Sequence, residues 1–99
     1  MADISTFEQG VNARLLGADI VSTTLAGYTK ESMPSSSEPA FDLLEKLVKE
    51  LDCPVILEGR IWIPEHVDKA FELGAHAVVI GGAITKPISI TKRFVKRGK

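Results

Sequence analysis

Short apolar runs alternate with amphipathic helical patterns four times along this chain. That alternation is the signature of a parallel β-sheet whose strands are joined by crossover helices. The first run, residues 1–4, is followed by Ser5 and Thr6, either of which can cap a helix starting near Phe7. In that helix Phe7, Val11 and Leu15 recur at four-residue spacing and predict a core-facing stripe. Gly17 then suits the left-handed position that closes a helix. Residues 19–24, rich in β-branched side chains, predict the second strand. Phe41, Leu44, Leu47, Val48 and Leu51 mark the inner face of the next helix, with Pro39 near its first turn. Residues 54–57 read as the third strand, which Glu58, Gly59 and Arg60 leave. Pro64 and Glu65 open a third helix whose Val67, Ala70, Phe71 and Leu73 are expected to face inward, although Ile63 is a poor cap for it. A fourth strand ends at Ile80, residues 81–85 form a glycine-led turn, and a last helix runs from about Pro87 through Val95.

Residues 25–37, with Gly27, Pro34 and three consecutive serines, form the longest irregular stretch. Between a strand and a helix, that position belongs to a loop over the reactive face, and long loops there often act as lids. There is also an internal repeat. Leu16-Gly17-Ala18 and Leu73-Gly74-Ala75 each join a helix end to a strand start, two βα units apart, and Asp3 and Glu58 end the strands before them. Ninety-nine residues make one small α/β domain of four βα units. From the pattern alone, half of a (βα)8 barrel and a small open sheet with helices on both faces remain equal alternatives.

The net charge of -1, from 12 basic and 13 acidic residues, argues against nucleic acid or a membrane surface as partner. Only the tail is basic, with Lys92, Arg93, Lys96, Arg97 and Lys99, and it reads as a solvated last helix with cations at its negative end. A single cysteine, Cys53, cannot form an internal disulfide and is expected to be a buried structural thiol. Met1 leads directly into a strand, and no apolar stretch approaches ~18 residues, so neither a leader nor a membrane span is expected. The expected location is the cytoplasm.

The strongest chemical signal is Val79-Ile80-Gly81-Gly82-Ala83-Ile84-Thr85. A buried strand that ends in two glycines and enters a short helix presents unobstructed backbone N–H groups to a phosphate dianion. Lys86 can add a positive charge. The competing reading is a tight turn that needs glycine for backbone reasons alone. Glu58, at the end of the third strand, is a candidate general acid or base, or a holder of sugar hydroxyls, against a plain ion pair with Arg60 or a neighbouring strand's lysine. Asp3 stands similarly after the first strand, with capping by Ser5 or Thr6 as its alternative setting. His66, in a helix first turn, is expected to be solvated; His76 starts a strand on the face opposite the reactive one, and neither has metal-ligand spacing. Trp62 is expected to pack, and Tyr28 could cover a ligand. With no P-loop and no dinucleotide glycine pattern, a nucleotide or nicotinamide cofactor is unsupported.

Four blocks carry a resemblance. They are residues 1–6; residues 22–29; Glu58-Gly59-Arg60-Ile61 with Pro64-Glu65; and residues 79–87 continuing into Ile90-Thr91-Lys92-Arg93-Phe94. Together they resemble the N-acetylmannosamine-6-phosphate 2-epimerase family of bacterial sialic-acid catabolism. The resemblance runs nearly end to end and covers strands five to eight of that family's phosphate-binding (βα)8 TIM barrel, as one domain over residues 1–99. It implies inversion at C2 of an N-acetylhexosamine 6-phosphate without a cofactor. It further implies Glu58 as the catalytic acid/base, and Asp3, Gly59, Arg60, Gly81, Gly82 and Lys86 as substrate-binding residues, the glycines holding phosphate through backbone N–H groups. Lys86 stands where the family more often shows arginine, so a two-pronged contact becomes a point charge; Ser22 replaces a common glycine. The family's catalytic lysine belongs to its first half-barrel. One half is therefore expected not to turn over alone, and to pair either with a second copy or with a complementary N-terminal half.

Overall fold

Ala2 stands opposite Val21, Val21 opposite Val55, and Ile56 opposite Ala77, always in parallel register. The computed structural model describes residues 1–29 and 37–97. Its strands are β1 (Ala2–Asp3), β2 (Val21–Ser22), β3 (Val55–Glu58) and β4 (Ala77–Val79), in spatial order β1-β2-β3-β4. The helices are α1 (Phe7–Leu15), α2 (Phe41–Glu50), α3 (Pro64–Glu72), α4 (Gly82–Thr85) and α5 (Pro87–Arg97). Strand order follows chain order without reversal, so there is no topological switch point. That rules out the doubly wound open sheet and leaves the arrangement of consecutive barrel units. The first two strands are shorter than their apolar runs predict, because parallel pairing is satisfied over two residues before the chain turns into the active-face loops.

One face of the sheet makes the core. Val21, Val55 and Leu57 bury against Phe41, Leu44 and Leu47 of α2 and Ala70 of α3. Each fully buried leucine contributes about 1.5–3 kcal/mol relative to exposure. Two expectations about helix faces need correction. Leu15 is 79% exposed and Phe71 is 51% exposed, so neither belongs to an inner stripe. In α1 the buried position is Gly10, where a β-carbon would come within 2.6 Å of Leu47 Cδ2. At about 100° per residue, Leu15 then points roughly 140° away from that contact. In α3 the inward position is Ala70, and Phe71 is turned one step off it. Pro39 stands just before the Ala40 cap of α2, near its first turn as expected.

The helix ends repeat one design. Gly17 and Gly74 both adopt positive φ (103° and 99°) after helices α1 and α3. Ala18 N–H bonds Ala13 O as Ala75 N–H bonds Ala70 O. At the other end, Thr6 caps α1 and accepts from Gln9 N–H, while Gln9 Oε1 reaches back to Ser5 N–H at 2.8 Å. His66 does the same in α3, its Nδ1 accepting from Trp62 N–H at 3.1 Å. This removes the puzzle of Ile63 at the cap. Pro64 at the first helical position has no N–H to satisfy, and His66 secures the entering chain. His66 is therefore not solvated as expected; it also meets Phe41 edge-on, with ring centroids 5.8 Å apart. Cys53 is half-buried against the core rather than fully enclosed.

Candidate functional site

The C-terminal ends of β3 and β4 and the turns that follow them enclose a cavity of about 320 Å3. Glu58, Gly59, Arg60, Gly81, Gly82 and Lys86 all line it, with Thr24 and Tyr28 from the loop after β2, and Trp62 and Ser89. Six of the seven site residues expected from sequence are thus brought together. The seventh, Asp3, is outside the lining. It is exposed on β1 and joins the cavity through Thr24, whose hydroxyl donates to Asp3 Oδ1 at 2.7 Å and shares a 2.7 Å hydrogen bond with Ser22 Oγ.

Strand alternation explains which side chains reach this face. Val55 and Leu57 are buried toward the helices, so Ile56 and Glu58 project to the opposite side. Asp3, Ser22, Ile56 and Ala77 share one register row on that side, and Glu58 pairs with Val79 in the next. The backbone of Glu58 is fixed by the buried Thr23. The Thr23 hydroxyl accepts from Glu58 N–H and donates to Glu58 O, each at 3.1 Å. Sequence reasoning assigned Thr23 no role; its β-branched place in a strand and its position in the 22–29 block were the signals.

Gly81 and Gly82 both have negative φ. A β-carbon on Gly81 would meet nothing within 4 Å, and one on Gly82 would meet only the Lys86 side chain at 3.5 Å. Neither left-handed backbone nor close packing explains the absence of side chains. What the glycines provide is open space at the start of α4, where the Ile84 and Thr85 N–H groups bond Gly81 O and those of Gly82 and Ala83 begin the helix. Gly59 differs. Its φ is 108°, so the turn leaving β3 depends on glycine there.

Arg60 does not pair with Glu58. Its Nε donates to Glu38 O at 2.7 Å and its Nη1 to Ala26 O at 2.9 Å. Trp62 packs only partly; its indole N–H donates to Ser37 O at 3.0 Å, and the Arg93 guanidinium lies 4.9 Å from its ring centroid. Arg93 is accordingly half-buried, unlike the solvated tail expected for it. Tyr28, exposed on one side, lines the cavity on the other. Residues 30–36 of the expected lid lie outside the described residues.

A family model described as "Putative N-acetylmannosamine-6-phosphate epimerase" matches residues 1–99. The chain belongs to this epimerase family. A relative from Caldanaerobacter subterraneus subsp. tengcongensis, described as a "Putative N-acetylmannosamine-6-phosphate 2-epimerase", is 55% identical over 95 residues, 96% of this chain and 40% of the relative. A relative of the same description from Clostridium perfringens (strain SM101 / Type A) is 60% identical over 94 residues, covering 95% and 42%. Among solved structures, the N-acetylmannosamine-6-phosphate 2-epimerase from Clostridium perfringens superposes with a TM-score of 0.92 at 57% identity, over 98% of this chain and 42% of that one. The chain thus spans about two fifths of the length of the relatives it matches, and its four βα units correspond to half of a (βα)8 barrel. The (S)-3-O-geranylgeranylglyceryl phosphate synthase from Thermoplasma acidophilum superposes with a TM-score of 0.62 at 20% identity, a likeness of fold alone.

Proposed function

We propose that this chain is the phosphosugar-gripping half of an N-acetylmannosamine-6-phosphate 2-epimerase, with residues 1–99 as a single half-barrel domain. The observation that carries the proposal is the meeting, in one cavity, of a strand-end carboxylate, a glycine pair with open space beside it, and a lysine. Phosphate is held by the Gly59, Gly81 and Gly82 N–H groups and by Lys86. The sugar lies toward β3, where Glu58 exchanges the C2 proton as general acid or base, and Asp3, through Thr24, closes the far side of the sugar site. Inversion at C2 needs a proton group on each face of the carbon. Glu58 serves one face, and the catalytic lysine of the family, in its first half-barrel, serves the other. The role assigned is in bacterial sialic-acid breakdown in the cytoplasm; among the described residues no helix is long and apolar enough to cross a membrane.

Completion of the barrel is part of the proposal. β1 and β4 end the sheet, each paired on one side only among the described residues. Val79, on the cavity side of β4, is 39% exposed, and Leu15 at the end of α1 and Leu16 after it stand in solvent. Open strand edges and apolar surface of this kind call for cover. Either a complementary N-terminal half-barrel or a second copy, set by a two-fold axis along the barrel axis so that β4 pairs with the partner's β1, supplies it. A monodisperse monomer at micromolar concentration in gel filtration counts against the second copy.

The test is proton NMR of the chain with N-acetylmannosamine 6-phosphate in deuterated water. Ligand-induced shifts at the Gly81 and Gly82 amides are expected, without C2 exchange. Exchange should appear once a polypeptide carrying the remainder of the family's barrel is added. Shifts that never lead to exchange would leave a non-catalytic phosphosugar-binding module, and no shifts at all would remove the proposal.

A further inference from the structure

Arg60 is the non-glycine residue with positive φ (56°) among the described residues. Such a conformation is costly for a residue with a β-carbon and persists where surrounding contacts enforce it. Its own side chain makes those contacts. Glu38 O, 2.7 Å from Nε, and Ala26 O, 2.9 Å from Nη1, belong to opposite stems of the loop between β2 and α2. The guanidinium passes directly over Gly27, where a β-carbon would lie 1.8 Å from Nη1. Trp62 fastens the second stem again at Ser37 O. On the first stem Tyr28 reaches over Gly59, its Cε2 being 3.7 Å from where a β-carbon of that glycine would stand.

We propose that Arg60 is a positioning residue: it clasps both stems of this loop and so holds Tyr28 as an aromatic wall of the cavity beside Glu58, instead of taking the phosphate itself. A planar group with donors on separate nitrogens can bridge two carbonyls on different segments in fixed orientation, and the single nitrogen of lysine cannot. The wall then recognises the sugar ring and not the phosphate, since a tyrosine face offers apolar contact area with few rotamers to fix. The sugar part of this inference rests on the phosphosugar reading above; the clasp does not.

The experiment uses the 99-residue chain and its Arg60→Lys and Arg60→Gly variants. Arg60→Gly removes the side chain while accepting the positive φ, so the turn itself is preserved. Without ligand, the Ala26 and Tyr28 amides, hydrogen-bonded to Thr23 O and Leu25 O, should exchange at least tenfold faster in both variants. The Leu57 and Leu47 amides should keep wild-type protection. With ligand, N-acetylmannosamine 6-phosphate should bind at least fivefold more weakly to both variants, whereas inorganic phosphate, followed at Gly82, should bind within twofold of wild type. Unchanged exchange at Ala26 and Tyr28 overturns the clasp. Wild-type sugar-phosphate binding by Arg60→Lys, with a tenfold loss of inorganic phosphate in Arg60→Gly, overturns it in favour of an anion ligand. If wild type itself binds neither compound, the phosphosugar reading fails while the exchange comparison still decides the clasp.

Discussion

The Thr23 hydroxyl bridges both backbone polar groups of Glu58, accepting from its N–H and donating to its carbonyl at 3.1 Å each. Thr23 is fully buried, so no solvent stands ready to replace it. The candidate acid/base is thus held at the strand end by a neighbouring strand's side chain as well as by the ladder. Thr23→Val keeps shape but strands two buried polar groups, at a cost of about 1–3 kcal/mol. Thr23→Ser keeps the hydroxyl and should cost less. Urea denaturation with the Glu58 amide shift as second readout checks this; equal losses in the two variants would assign Thr23 to packing alone.

Gly81→Ala separates fold from ligand. With negative φ and no atom within 4 Å of the new β-carbon, stability should change by less than about 1 kcal/mol. On the proposed reading, binding of N-acetylmannosamine 6-phosphate should fall at least tenfold, because the methyl group would occupy the phosphate's approach. A destabilised variant with intact binding would return the glycine to a turn role.

Gly17 and Gly74 close α1 and α3 with the same backbone geometry but different surroundings. Alanine at either position is strained by positive φ, at about 1 kcal/mol. A β-carbon at Gly17 meets nothing within 4 Å, whereas at Gly74 it would sit 2.7 Å from Val48 Cγ1. Gly74→Ala should therefore be the more destabilising by about 1–3 kcal/mol, the usual cost of overpacking. Thermal denaturation of the pair checks it; equal Tm shifts would mean that Val48 gives way freely.

The Arg14 guanidinium donates to Asp52 at 2.8 Å and ties the end of α1 to the turn after α2. This hydrogen bond, reinforced by charge attraction, holds the Asp52 carboxyl below the usual carboxylate range. A depressed folded-state value means that the contribution is present above the unfolded aspartate value of about 3.9 and is lost as pH falls through the folded value. Wild type should thus lose stability between about pH 5 and the acid limit more steeply than Asp52→Asn. Both groups are exposed, so the difference should shrink in high salt. Denaturant midpoints across that range test it, and parallel curves would show the pair to be neutral.

Much of the architecture was legible because it is local. The period of Phe41, Leu44 and Leu47 locates α2, and the glycines after α1 and α3 locate their ends. Glu58 and Gly81-Gly82 could be assigned to one face because every strand in a βα chain delivers its C-terminal end to the same side. The repeat seen in Leu16-Gly17-Ala18 and Leu73-Gly74-Ala75 extends in the structure to the reach-back bonds of Gln9 and His66. Periodicity misjudged Leu15 and Phe71, since the buried face of a helix is chosen by the partner it meets, here Leu47 against Gly10 and the sheet against Ala70.

The sequence by itself determined the order of strands and helices and the parallel sheet, since these follow from spacing along the chain and from backbone chemistry at each position, and its resemblance to the epimerase family named most of the residues around the cavity. Only the tertiary structure decided that the described strands have no switch point, that Asp3 meets the cavity only through Thr24, that Thr23 holds the Glu58 backbone, and that Arg60 faces the loop carbonyls instead of the carboxylate beside it. Arg60 and Ala26 lie 34 positions apart, and Thr23 and Glu58 35. Partners at such separations are selected by which backbone donors and acceptors remain unsatisfied once the core has closed, and no local pattern of residues records that choice.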